Sequence, residues 1–363
     1  MADSLYVHIP FCAHICPYCD FPKVIFNPSW ASPYLEALKK ETLLRAKGER
    51  FSTLFFGGGT PTCLNAESLD EMLSFFVPFC KKGAEISVEA NPETLDEEKI
   101  ALLANHGVNR VSLGVQSTHE KGLRILGRHH DTETVKKAVT CLRKHGITNI
   151  NLDWMYGWPN ETLEDVRRDI EGFLSFDVPH ISAYSLILEA GTVYAVKGIK
   201  GLDDDGQQEH FILIKEALKN AGYERYEVSN FARPGYRCRH NLRYWNDEDY
   251  IGVGLGASGA IGATRYTNTK SLSKYLKGEY EGEVENLDET DEKEIFFLTN
   301  LRKVEGFAKS EYQRRFGKKF LEDYGGVAQR LKQRGLLDIE GDHIRCSEVG
   351  LDFLDTVLVE LFV

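Results

Sequence analysis

Six short runs of branched and aromatic residues, separated by amphipathic helical patterns, limit the fold of this chain more than any other feature. They cover residues 5–9, 53–56, 85–89, 110–115, 149–153 and 180–186, and most end in Gly, Pro or polar residues. Between them, Val135, Ala138, Val139 and Leu142 fall on one helical stripe. Leu163, Val166, Ile170 and Phe173 form another, behind a capping box of Thr162 and Asp165. Strands and helices alternating at this spacing predict an α/β fold of parallel strands joined by crossover helices. Six units predict a partial (β/α)6 barrel rather than a closed eight-fold one. Functional residues then belong at the C-terminal ends of the strands.

From about residue 288 the pattern becomes mostly helical, and 335–345 reads as two short strands around a turn at Glu340, Gly341 and Asp342. That outline predicts a smaller, winged-helix-like C-terminal domain. The expected organisation is a core at 1–230, a connecting segment at 231–287 and the C-terminal domain at 288–363. Acidic residues outnumber basic ones by 55 to 44, a net charge of −11, which argues against general affinity for a phosphate backbone. Charges in the winged segment nearly balance, so packing or substrate covering is expected there and nucleic acid is not. No apolar run approaches a membrane span, and the N-terminus lacks the charged-then-apolar layout of a secretory leader. A cytoplasmic protein is expected, with membrane contact limited to peripheral docking.

Of eight cysteines, Cys12, Cys16 and Cys19 crowd together at C-x3-C-x2-C spacing directly after the first strand run. A disulfide framework is foreign to a long chain without an export signal. Cys80 and Cys141 sit in patterns that read as helical and apolar, where they serve as small core residues. Two chemistries suit the triplet. A structural zinc site needs four ligands, for which His8, His14 or Asp20 would complete the set. A cubane iron–sulfur cluster on three thiolates leaves one iron open to bind a ligand.

Further along, three glycines and Thr60 follow the second strand run, and Glu89, Gln116 and Asp153 end the next three. Glycines let backbone approach a ligand closely, and the polar strand ends supply acceptors that double, individually, as loop hydrogen bonds. Arg128 is a candidate partner for a ligand carboxylate. The stretch 254–259 matches G-x-G-x-x-G, but residues 260–265 open no helix after it, so a dinucleotide fold is not expected.

Together the cysteine triplet and the glycine run resemble the signature of the radical S-adenosylmethionine superfamily. The segment from Tyr6 to Cys12 resembles the branch containing oxygen-independent coproporphyrinogen oxidases and heme chaperones. The resemblance implies a radical-SAM barrel with a 4Fe–4S cluster on Cys12, Cys16 and Cys19. It implies an S-adenosylmethionine site at Tyr6, Tyr18, Gly58, Gly59, Thr60, Glu89, Gln116, Arg128 and Asp153, bordered by 254–259. The oxidases carry a fourth cysteine two residues beyond the third, where this chain has Phe21, and a long N-terminal extension, where this chain begins eleven residues before Cys12. The stretch from His240 to Trp245 reads H-N-x-x-Y-W, similar to a motif of the heme-chaperone branch. His240 is then a candidate heme ligand, with Asn241, Tyr244 and Trp245 beside it and arginines for the propionates. The bland alternative is a loop whose aromatics pack on the barrel. The implied function is binding of heme as cargo and its transfer to heme-requiring apoproteins, respiratory enzymes among them, with a reductant serving the cluster. The alternative is an oxidase-type radical enzyme that acts on a porphyrinogen, and no catalytic residue is assigned.

Overall fold

The computed structural model describes residues 2–362. All six runs are strands: β1 (Ser4–Ile9), β2 (Phe51–Gly58), β3 (Cys80–Ala90), β4 (Arg110–Gln116), β5 (Asn149–Tyr156) and β6 (His180–Ser185). They pair in sequence order and in parallel. Three shorter strands extend the sheet, β7 (Glu224–Arg225), β8 (Asn230–Ala232) and β9 (Ile251–Val253), giving the order β9-β1-β2-β3-β4-β5-β6-β8-β7. The sheet is open, so the barrel is partial.

Each strand alternates. Leu54, Phe56, Ile86, Val88, Val111, Leu113, Ile150 and Leu152 pack into the main core under the helices, each contributing about 1.5–3 kcal/mol by burial. Their neighbours Phe55, Glu89, Ser112, Asn151, Asp153 and Ser182 line the barrel interior instead. The two expected helical stripes lie on Thr132–Lys144 and Leu163–Ser175, and Thr162 and Asp165 form the capping box.

Two readings of the sequence differ from the fold. Cys80 opens strand β3 rather than lying in a helix. Residues 231–287 are more than a connection: they supply the end of β8, a short helix at Arg239–Trp245, strand β9 and a separate three-stranded antiparallel sheet. Strands of two or three residues are too short to carry a periodic signal. The C-terminal module has its own core around Phe296, Phe297, Phe307 and Tyr312. It pairs Phe307–Ala308, His343–Cys346 and Leu337–Glu340 into a small sheet beside the helices Lys309–Phe316 and Phe320–Gln333. Among the described residues, no helix is long and apolar enough to cross a membrane.

Candidate functional site

The cysteine loop leaves the C-terminal end of β1 and is closed at its neck. Phe11–Cys12 pairs in parallel with Val24–Ile25, Phe26 donates to the Cys12 carbonyl at 2.9 Å, and within the loop Cys19 N–H reaches the Cys16 carbonyl at 3.2 Å. His8 anchors the exit: its Nε2 lies 2.8 Å from the Pro22 carbonyl and its Nδ1 3.0 Å from the Tyr6 hydroxyl. Burial pushes His8 down to about 4, so the ring is neutral, donating to Pro22 and accepting from Tyr6.

The loop fits a cubane cluster better than one zinc ion. The three sulfurs do not all lie within 4.8 Å of one another, whereas Zn–S bonds of ~2.3 Å would draw them to ~3.8 Å apart. Of the expected fourth ligands, His8 has both nitrogens engaged and Asp20 is exposed, while His14 packs on His129 with its Nε2 lacking a hydrogen-bond partner. Among the described residues, the one set of three metal-type ligands within that distance is Glu97, Cys141 and His145, on outer helices. Arg128 donates to Cys16 Sγ at 3.4 Å, placing a buried positive charge beside a sulfur that would carry negative charge when ligating.

The glycine run at the end of β2 is stitched to this loop. Gly59 N–H donates to the Ile9 carbonyl and Thr60 N–H to the Phe11 carbonyl, at 2.8 and 2.7 Å. Gly58 has φ +110° and faces the His8 ring, with which a Cβ would collide. Its N–H donates to Glu89 at 3.0 Å. Glu89, Asp153 and Tyr6 line a cavity of about 210 Å³ inside the barrel, with Arg110, Ser112, Asn151 and Tyr184.

Burial, reinforced by the Asp153 carboxylate, pushes Glu89 up to about 7. Asp153 is raised by burial too, against hydrogen bonds from Asn151 and Ser112. Between the ordinary Glu value of 4.5 and about 7, the folded chain retains a proton that the unfolded chain has lost, so stability falls as pH rises through that window. Glu89→Gln is therefore expected to raise the melting temperature of the ligand-free chain at pH 8, by ~2–4 °C for each kcal/mol relieved. The gain should vanish towards pH 4.5; an equal gain at both pH values would contradict the assignment.

Arg128 and Gln116 sit at the next strand ends. Arg128 Nη2 donates to Asn91 Oδ1 and to the Gly114 carbonyl, both at 2.6 Å, while its buried Nε has no hydrogen-bond partner. Gln116 follows a register shift in β4 and has φ +68°, uncommon for a residue with a side chain. Sequence reasoning misses Asn91, yet it joins two expected site residues, also donating to Thr60 Oγ1 at 3.1 Å. Its position before Pro92 signals a helix cap, which it also forms. Arg110, Ser112, Asn151 and Tyr184 escape as well, because a strand run is read by its apolar members. Tyr18 packs on the small cluster of Leu126, Trp158 and Leu186 and lies close enough to Cys16 and Arg128 to feel their charges; like Gly58, Gly59, Thr60, Gln116 and Arg128, it does not line the barrel cavity.

The H-N-x-x-Y-W stretch borders the same cavity from its other end. Its helix, Arg239–Trp245, closes the barrel floor at the N-terminal ends of the strands. Glu85, midway along β3, accepts from the N–H groups of Arg239 and His240 at 3.1 and 2.9 Å, a carboxylate on a helix N-terminus. Cys238 is buried just before the helix, its Sγ 3.7 Å from Glu85. His240 is 1% exposed and stacks on Phe55. Its Nδ1 lies 2.8 Å from Thr53 Oγ1 and its Nε2 2.7 Å from Tyr244 Oη.

Both ring nitrogens of His240 are thus hydrogen-bonded, and His240 and Tyr244 line the barrel cavity. Tyr244 packs edge-on against His240 and Tyr250, and Asn241 lines the cavity. Trp245 lies under Arg302 of the C-terminal module, 4.4 Å from its guanidinium. Of 254–259, Gly254 lies against β1, where a Cβ would stand 2.5 Å from the His8 carbonyl, and Leu255 lies beside the cysteine loop; neither lines the barrel cavity.

Residues 6–171 match the family model of the Radical SAM superfamily, and 287–353 match that of the HemN C-terminal domain. The chain is 36% identical to the heme chaperone HemW of Lactococcus lactis, over 98% of this chain and 96% of the relative. It is 37% identical to HemW of Bacillus subtilis over 92% of both. For HemW of Escherichia coli the identity is 33%, over 99% and 97%. Among solved structures, coproporphyrinogen III oxidase (HemN) from Escherichia coli superposes with a TM-score of 0.88 at 24% identity, over 99% of this chain and 90% of that one, a likeness of fold.

Proposed function

Since the chain belongs to the HemW family, we propose that it is a heme chaperone, which binds heme and hands it to heme-requiring apoproteins. Similarity to HemW proteins along nearly the whole chain carries this reading. The cofactors are a 4Fe–4S cluster and S-adenosylmethionine. Cys12, Cys16 and Cys19 are the proposed cluster ligands. Tyr6, Tyr18, Gly58, Gly59, Thr60, Glu89, Gln116, Arg128 and Asp153 form the proposed S-adenosylmethionine site.

When bound, a cluster with one open iron supplies a place for the amino and carboxylate groups of S-adenosylmethionine and an electron for its sulfonium. The chain's own residues hold and orient. Gly58 and Gly59 let the backbone come close, Glu89 and Asp153 offer acceptors to ribose and to positive charge, and Arg128 balances the negative charge at Cys16. Neutral His8 ties β1 to the loop exit without adding charge. Phe21, in place of a fourth cysteine, favours carriage over porphyrinogen oxidation. His240 and Tyr244 take the role of positioning the cavity floor, and heme ligation by His240 requires Tyr244 to leave its Nε2.

The proposed setting is the cytoplasm, with a reductant for the cluster and respiratory enzymes among the acceptors, reached by peripheral membrane contact. The test incubates the heme-loaded chain with heme-depleted respiratory membranes. Recovery of heme-dependent oxidase activity above that given by equal free hemin is the expected result. Recovery no better than the free-hemin control would overturn the proposal.

A further inference from the structure

A second cavity, of about 350 Å³, opens beside the cysteine loop and is distinct from the barrel interior. That volume is in the range of small-molecule sites, ~300–1,000 Å³. Its wall carries Ile15, Phe21, Val193 and Leu255, with Lys23 and Lys270 at its edge. Phe21 is 61% exposed, Val193 44% and Ile15 41%, an unusual concentration of large apolar side chains in water at one mouth. Phe21 also lines the barrel cavity, so its ring stands between the two spaces.

The charge is as particular as the shape. On a chain of net charge −11, two lysines flank this apolar wall. Lys23 reaches back to the Cys19 and Phe21 carbonyls at 2.6 and 3.1 Å, which fixes the ammonium at the rim and leaves one of its three protons free. Lys270 is exposed, and among the described residues it has no hydrogen-bond or ion-pair partner. A flat apolar ligand with two carboxylates matches such a site: its face covers the apolar wall and its carboxylates meet the ammonium groups.

We infer that heme, the cargo in the reading above on which this inference rests, seats in this outer cavity against Phe21, with its propionates on Lys23 and Lys270, and not on His240 at the barrel floor. No histidine lines the cavity, so recognition acts through the macrocycle face and the propionates rather than through an iron ligand. The position replaced by Phe21 relative to the oxidase pattern thereby becomes the contact that distinguishes carriage of the macrocycle. Cargo seated there borders Cys16 and Cys19, which line the same cavity, so heme occupancy and cluster occupancy are neighbours.

The experiment titrates hemin, protoporphyrin IX and hemin dimethyl ester into the anaerobically reconstituted full chain, following the Soret band. Phe21→Glu and Lys270→Glu are each expected to weaken hemin binding roughly tenfold or more, with iron content and melting temperature as in wild type. Metal-free protoporphyrin IX should bind within several-fold of hemin, and the dimethyl ester roughly tenfold more weakly. His240→Gln, checked for folding, should bind hemin like wild type. Wild-type affinity in both the Phe21 and Lys270 variants, or loss of binding confined to His240→Gln, would overturn the site while leaving the chaperone reading intact. Absence of saturable hemin binding by the wild type would overturn the chaperone reading itself.

Discussion

Cys16→Ala is expected to leave iron and acid-labile sulfide at background after anaerobic reconstitution, where the wild-type chain takes up about four of each. Three thiols are all the loop offers, and two do not retain a cubane cluster. Another cysteine nearby is Cys63, whose charge is felt at Cys12. It follows the glycine run and belongs to a different loop. Cys63→Ala is therefore the control, expected to load iron as wild type does. Cys16 sits in an irregular, half-buried stretch, so its loss should not unfold the chain. An iron-loaded Cys16→Ala with an iron-free Cys63→Ala would reverse the assignment of ligands.

Gly59→Ala should be nearly as damaging, for a purely steric reason. Gly59 is absent from the residues of positive φ, so alanine meets no backbone objection there. Its Cβ would, however, lie 2.7 Å from the Phe11 carbonyl oxygen and 2.8 Å from the Pro10 carbonyl carbon. Backbone cannot rotate away as a side chain can, so the glycine run and the strand leading into Cys12 must separate. A loss of about 3 kcal/mol in stability is expected, with S-adenosylmethionine binding weakened ~10–100-fold as the pocket opens. Gly48→Ala is the contrast: it has φ +83° but nothing within 4 Å, and should cost only ~1–2 kcal/mol with ligand binding unchanged. Equal binding by the Gly59 and Gly48 variants would show that the close approach has no part in the site.

Much of the fold and site is legible because the barrel writes its strands in apolar residues and ends them in polar ones. The six runs carry the parallel order, and Glu89, Gln116 and Asp153 stand out as polar groups where a core should be. Thiol spacing marks the loop directly. What escapes is information held by partners rather than by periodicity. Asn91 looks like a helix cap and is one, yet its amide also bridges Thr60 and Arg128. The left-handed φ of Gln116 has no signature in a glutamine. The motif at His240 is ambiguous for a related reason: a histidine flanked by aromatics has the same spelling whether it waits for iron or stacks under a barrel. Its contacts with Thr53, Phe55 and Glu85 are visible only in the folded chain. Short β8 and β9 bring residues expected as a connection into the sheet, and two or three residues carry no period to read.

A radical-SAM scaffold turned to carrying heme should bind the macrocycle without converting its precursor. The most direct test adds either hemin or coproporphyrinogen III to the reconstituted chain under anaerobic conditions, with S-adenosylmethionine and a reductant present. Saturable binding of hemin at about one equivalent, with no vinyl product from coproporphyrinogen, is the predicted result. Catalytic formation of the decarboxylated porphyrinogen, with no saturable hemin binding, would contradict it.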